Sequence, residues 1–270
     1  MHNVEWGVYR QIARSSTDPA KRVAYYFDSF RLKSFERWIY QALPIDAYTF
    51  VSSEDMDMYA SWLGIPREKT RLVPVGGEAS PCGCESNRHE MLFIGNMSYA
   101  PNVEGVTWFV QKVLPRIREL DPLATLTIVG KSPVDAVRRL AGEAVEVTGT
   151  VDSVLPYYER SSLVVVPLKS GGGVKVKLLE AAAHHKAVVS TSKGVEGTAY
   201  ADGHGVIVAD DPEKLATECV RLLNDRGKLE QAASESFGYF LGHYTWESIC
   251  KDYEAFLRDV VTRGKEGWGK

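Results

Sequence analysis

SLVVVPLKSGGGVKVKLLEAAAHHKAVVS, Ser162 to Ser190, holds two short apolar runs separated by a glycine turn and a stretch with helical spacing. The two ends are nearly unbroken in Val and Leu, the pattern of parallel strands covered on both faces, and residues 174–185 between them read as a helix. The segment predicts one β-α-β unit, and the same alternation runs outward in both directions. Further strands are expected in MLFIGNMS (91–98), LATLTIVG (123–130), VEVTGT (145–150) and GVIVAD (205–210), with helices over 103–120, 133–141, 154–160 and 212–224. Strands alternating with helices in this way define an α/β fold with a Rossmann-like, doubly wound parallel sheet and right-handed crossovers.

Either side of this regular region the pattern changes. From Lys228 to Arg263 two helices are expected to pack beside the sheet, with a break near LGHYTW where Gly242 stops one and Thr245 caps the next. Residues 2–41 read as mostly helical, and AYTFVSS (47–53), a helix from Ser53 and TRLVPVGG (70–77) make another β-α-β unit. Two strands do not make a stable covered sheet, so this front part reads as an incomplete α/β domain. GGEASPCGCESN (76–87) has the composition of a linker. The expected division is a partial first domain over residues 1–85 and a second over 86–263.

The chain has 270 residues with 44% hydrophobic and 25% charged, a profile able to bury a core. A net charge of -3 removes the case for nucleic-acid binding through bulk charge, so any anion site must be local. Cys82, Cys84, Cys219 and Cys250 are too few and too irregular for a disulfide framework, and Cys82-Gly-Cys84 lacks a second pair at zinc-ligand spacing. Free thiols, no signal peptide and no apolar run near the ~20 residues that span a bilayer point to a cytoplasmic protein, at most peripheral to the inner membrane face.

Ligands of such sheets sit beyond the carboxyl ends of the strands, which directs attention to the loops after SLVVVPLK and MLFIGN. Gly171, Gly172 and Gly173 let backbone N–H groups approach a bound group closely, and the helix after them offers its positive end. Lys175 and Lys177 are slightly unfavourable at that end, with only Glu180 close in sequence to offset them; an anion would reverse the sign. The residues alone leave two readings open, an anion site or two solvated lysines beside a simple turn. Glu180 lies about 9 Å along the axis from Val174, a separation suited to phosphates at the helix start and ribose hydroxyls at the carboxylate. Glu180 and His184 share one helix face, but a histidine also suits a helix C-terminus, and no metal is expected.

LFIGNMSYAPNVEGVTWF, LTIVG, VEVTGTV, LVVVPLKSGGGVKVKLLEAAAHHKAVVSTSKGVEG and YTWESI, in this order over residues 91–257, resemble the retaining, group 1 (family 4-like) glycosyltransferases of the two-domain GT-B fold. The resemblance implies that the second domain binds a UDP-sugar or GDP-sugar as substrate, with no separate cofactor. Glu180 then matches the second Glu of the family's E-x7-E motif, which holds the ribose. Position 172, where the first Glu belongs, is Gly; one branch with this triglycine form carries basic residues matching Lys175 and Lys177. Those lysines, with backbone amides of Gly171, Gly172, Gly173 and Val174, would hold the diphosphate and sugar. The usual Arg and Lys after the first strand of the domain are replaced by Asn96 and Pro101, leaving Gly95 and Asn96 to line the cleft, and residues 151–154 would read the base.

By the same resemblance HNVE, FERWIY, DAYTFVSSEDMDMY and RLVPVGGE match only the later part of the acceptor domain, and His2 matches a cleft histidine that contacts sugar or acceptor. The implied activity is sugar transfer, with retention, to a glycan or lipid-linked acceptor, as in polysaccharide biosynthesis. The absent earlier part implies an N-terminally shortened chain. A partner chain then supplies the remainder, or the protein is a nucleotide-sugar-binding subunit without turnover. RLKSFERWIY reads either as a helix lying on anionic lipid or as one with its aromatics packed inward.

Overall fold

In the computed structural model, residues 5–16, 18–82 and 87–267 are described. By internal contacts the chain divides into two units, residues 1–75 with 172–174 and 249–270, and residues 76–171 with 175–248. His2 and Cys84 lie outside the described residues.

In the first unit helices Glu5–Ser15 and Pro19–Ala42 pack together, and β1 (Tyr48–Phe50) pairs in parallel with β2 (Thr70–Leu72) across helix Ser53–Leu63. Local chemistry sets these bounds. Asp18 accepts from the N–H groups of Ala20 and Lys21 ahead of Pro19, Ser52 accepts from Asp55, and Gly64 closes the third helix in the left-handed conformation. Trp6, Phe50 and Tyr59 form the buried centre, surrounded by Leu32, Tyr40, Tyr48, Met56, Trp62 and Leu63. Most of the last helix, Trp246–Gly267, belongs here, tied on by the Arg71–Asp252 ion pair and by Arg263 donating to the Glu68 carbonyl at 3.2 Å. Of the two final helices expected beside the large sheet, the first, Arg226–His243, packs on it, and most of the last groups with the first unit.

The second unit is the α/β layer read from the sequence. Strands β3 (Asn87–Ile94), β4 (Thr125–Val129), β5 (Val145–Gly149), β6 (Ser161–Val166), β7 (Ala187–Ser190) and β8 (Val206–Val208) form one parallel sheet in the order β5-β4-β3-β6-β7-β8. Every residue of β6 and β7 is buried, as the unbroken apolar runs require of strands covered on both faces. Helix Pro212–Asn224 packs on β3, β6 and β7, while helix Arg226–His243 packs on β7 and on helix Val176–Ala183. Among the described residues no helix is long and apolar enough to cross a membrane.

Several boundaries depart from expectation for identifiable reasons. The helix expected over 103–120 begins at Ala100 and contains a π turn, Phe109–Val113, just before Pro115. Pro115 lacks an N–H and would crowd the Gln111 carbonyl, and the wider turn relieves both problems. Gly142 pairs with Val145, so the expected helix over 133–141 shrinks to Asp135–Arg138. Gly242 does not stop its helix, which runs through to His243; Thr245 does cap the next, accepting from the Ser248 N–H at 3.3 Å. The stretch read as a linker is bonded to the second unit as far as it is described: Ser80 donates to the Ala183 carbonyl at 3.0 Å and Cys82 to that of His184 at 3.3 Å.

Candidate functional site

From β3 the sheet grows through β4 to β5, and from β6 through β7 to β8, so the direction reverses between β3 and β6. In sheets of this kind the ligand crevice lies beyond the carboxyl ends of those two strands, where the crossovers leave in opposite directions. Both loops singled out from the sequence, after Ile94 and after Val166, start there.

Close backbone packing builds the first side of the crevice. A Cβ on Gly130 would stand 1.6 Å from the Gly95 carbonyl oxygen, so the turns after β3 and β4 touch main chain to main chain. Gly95 itself faces two side chains, and a Cβ there would meet Asn102 Nδ2 at 2.7 Å and Lys177 Nζ at 2.9 Å. Lys177 donates to Asn102 Oδ1 at 2.6 Å, and Asn102 Nδ2 donates to the Asn96 carbonyl at 2.9 Å. The amine also lies 4.3 Å from the Phe93 ring centroid. Buried Asn102 thus fastens Lys177 to the turn that carries Gly95 and Asn96. Burial lowers Lys177 to about 7, with Glu180 opposing the shift and Lys175 adding to it.

Lys175 occupies a different setting from the one the sequence implied. The helix starts at Val176 rather than 174, so Lys175 is the residue before it, with a non-helical backbone (φ -89°, ψ 80°) and no side-chain cap. Its side chain is buried, and its amine lies 3.9 Å from Glu196, which also holds Lys193 at 2.5 Å. Offset of the lysine charges therefore comes from Glu196 as well as Glu180. Glu196 thus lies between Lys175 and Lys193. Glu180 is four residues past the helix start, about 6 Å along the axis. Its side chain is exposed, yet surrounding protein raises its carboxyl above the ordinary value, with Lys177 pulling it back.

Gly171 is buried at φ +99°, and a Cβ there would press on Pro101 and the Tyr99 hydroxyl at 3.2 and 3.3 Å, so glycine is required. Gly172 differs: it is exposed, has no positive φ and has open space where a Cβ would stand. The missing Glu at this position is not imposed by packing. A Gly172→Glu variant is expected to fold normally, its melting temperature within roughly 2 °C of the parent, because exposed substitutions in open space shift stability by about 0.5 kcal/mol or less. Gly172, Gly173 and Val174 group by contacts with the first unit, whereas Gly95, Asn96, Gly171, Lys175, Lys177 and Glu180 belong to the second. Residues 151–154 follow β5 at the carboxyl end of the same sheet.

His184 is a structural residue. Its Nδ1 donates to the Ser80 carbonyl at 2.8 Å, its ring stacks on buried Tyr158 at 4.2 Å, and burial lowers its pKa. Among the described residues no group of three or more His, Cys, Asp and Glu is placed to hold a metal ion. His185 sits at φ +56°, held there by Ser234 at 3.1 Å and the Phe237 ring. Asn102, Glu196 and Lys193 were not among the candidates; the one sequence signal for Asn102 is an amide directly after Pro101 at a helix start.

An open parallel sheet with glycine turns and lysines at its switch point is the architecture of nucleotide-binding α/β domains. Comparison with known proteins specifies it. The family "Glycosyl transferases group 1" matches residues 88–225, just over half of the chain, and the protein belongs to this family. An uncharacterized 44.6 kDa protein in the cps region of Klebsiella pneumoniae is 24% identical over 258 residues, 92% of this chain and 65% of the relative. Sucrose-phosphate synthase from Thermosynechococcus elongatus superposes with TM-score 0.68 at 16% identity, over 97% of this chain and 67% of that one. The pneumococcal O-GlcNAc transferase GtfA, solved in complex with UDP and GlcNAc, superposes with TM-score 0.66 at 12% identity, over 86% and 48%. These neighbours establish the GT-B fold. The chain spans about two thirds of the curated relative and about half of GtfA.

Proposed function

We propose that the protein is a retaining glycosyltransferase of the family 4 type, moving a sugar from a nucleoside diphosphate to a glycan or lipid-linked acceptor. The observation that carries this reading is the pair of lysines at the switch-point crevice, one hung on Asn102 beside Gly95 and the other beside Glu196. Family membership and the UDP and GlcNAc bound by GtfA support a nucleotide sugar as the ligand.

In this reading Lys175, Lys177 and the Gly95 and Gly171 turns receive the diphosphate, and Glu180 accepts the ribose hydroxyls. As the bond from the anomeric carbon to the diphosphate breaks, charge grows on the departing oxygens, and preplaced cations and N–H groups stabilise it. No side chain is assigned as nucleophile; departure and attack take place on one face of the sugar. The first unit, to about residue 75, would be the acceptor side, where His2 would contact sugar or acceptor. The test is incubation with UDP-sugars and GDP-sugars, following release of the nucleoside diphosphate and the anomeric configuration of the product. Release with retained configuration is expected. Nucleotide binding with no release from any donor would replace this reading with that of a binding subunit completed by another chain.

Lys177 gives the binding a pH signature. Below about 7 its amine is charged in the free protein, and a bound diphosphate raises its pKa by favouring the charged form. Above pH 7 binding must therefore take up a proton, and affinity for a nucleotide sugar, whose diphosphate has no proton to lose near neutrality, should fall by up to about tenfold per pH unit until the pKa of the complex is reached. Calorimetry at pH 8 in buffers of different ionisation enthalpy reads the uptake directly; equal heats in all of them would contradict it.

A further inference from the structure

Asn102 ties helix Val176–Ala183 to the turn after β3, and its two side-chain bonds are of opposite kinds. Its Oδ1 accepts from the Lys177 amine at 2.6 Å, while its Nδ2 donates to the Asn96 carbonyl at 2.9 Å. An ammonium only donates and a carbonyl only accepts, so the position calls for an acceptor and a donor on adjacent atoms. Ionised Asp offers no donor there, and Leu offers neither. Asn102 lies in the first turn of helix Ala100–Trp108, its own N–H donating to the Tyr99 carbonyl at 2.9 Å. Only 5% of it is exposed, so packing holds the amide still.

The surroundings match this hold on Lys177. Phe93 presents its ring 4.3 Å from the amine, and a Cβ on Gly95 would stand 2.9 Å from it, so the amine is seated over the Gly95 turn. Asn96 stiffens that turn, its Oδ1 accepting from the Ser98 N–H at 3.1 Å and from the Ser98 hydroxyl at 2.9 Å. Lys177 keeps part of its surface exposed, so a group bound at the turn can still reach it. A lysine on its flexible four-carbon stem loses much freedom when a ligand fixes it, and a lysine ordered beforehand avoids that cost.

We propose that Asn102 is a positioning residue for the donor diphosphate, holding the Lys177 amine over the Gly95 turn so that the phosphates meet a cation already in place. Asn102 acts through Lys177, and the proposal rests on the donor site read above. The test is a double-mutant cycle, measured by calorimetry of the full chain with UDP or GDP. Asn102→Ala should weaken binding roughly three- to tenfold in the parent, because the freed lysine must be ordered again. In a Lys177→Met background the same change should weaken it by less than about twofold, because both substitutions remove one interaction. An equal loss in the two backgrounds would show Asn102 to be merely structural and overturn the proposal, leaving the donor site standing. Lys177→Met binding like the parent would instead remove the donor-site reading and this proposal with it. Asn102→Asp keeps the side-chain shape and allows a check that needs no ligand, titration of the lysine amines by NMR with Lys177→Met assigning the signal. Glu180 and Lys175 act on Lys177 in both proteins, so the added carboxylate should move its midpoint from about 7 to about 8 or above. An unchanged midpoint would overturn the proposal.

Discussion

Replacing both lysines of the crevice, Lys175→Met with Lys177→Met, is expected to weaken nucleotide-sugar binding by at least about 100-fold, since each charge-assisted contact to a phosphate contributes roughly 1.5–3 kcal/mol. Methionine keeps the buried aliphatic stems, so the loss reports charge rather than packing. The free protein loses the hydrogen bond to buried Asn102 but is relieved of a buried amine, two opposing effects on its stability. Lys177 has a pKa lowered from 10.5 to about 7, so between those values the unfolded chain binds more protons than the folded one. Stability in the parent therefore rises as pH increases over that window, and the neutral side chain removes the dependence. Thermal melts at pH 7 and pH 9 check this; a variant that binds donor like the parent would remove both lysines from the site.

Gly130→Ala has the second large effect, on the fold itself. The new Cβ would fall 1.6 Å from the Gly95 carbonyl oxygen, a main-chain atom that cannot rotate away, so the turns after β3 and β4 must separate. Overpacking of this kind costs ~3 kcal/mol, a drop of roughly 6–12 °C in melting temperature for a protein of this size. Separation also shifts Gly95 and Asn96 from Asn102 and Lys177, so residual folded protein should bind donor poorly. Gly142→Ala is the control, because open space surrounds that position; equal melting temperatures for the two variants would contradict the packing described.

Most of the second unit was legible in the sequence because its physics is local. Strands covered on both faces must be apolar at nearly every position, which is why LTIV, VVV and AVV stand out. Asp211 before Pro212 and Ser52 before Ser53 mark helix starts by bonds made within three residues. The π turn before Pro115 was not legible, since a proline announces a disturbance without saying how the chain absorbs it. The companions of the final helix were equally hidden, because Arg71–Asp252 joins residues far apart in sequence.

The site shows the same division. Glycines, lysines and Glu180 were visible as a pattern on one segment, but the groups that set their properties come from elsewhere. Asn102 reaches Lys177 from the helix after β3, and Glu196 reaches Lys175 from beyond β7. The question raised by two lysines at a positive helix end thus has a more exact form: Lys175 lies outside the helix beside a carboxylate, and Lys177 is drawn sideways onto an amide with its charge only half held at neutral pH.

A crystal structure of the protein with its nucleoside diphosphate tests the assignment most directly. Diphosphate oxygens within hydrogen-bond reach of Lys175 and Lys177, with ribose hydroxyls on Glu180, are the predicted result; a nucleotide bound away from the β3–β6 crevice, or there with both lysines out of reach, would contradict it.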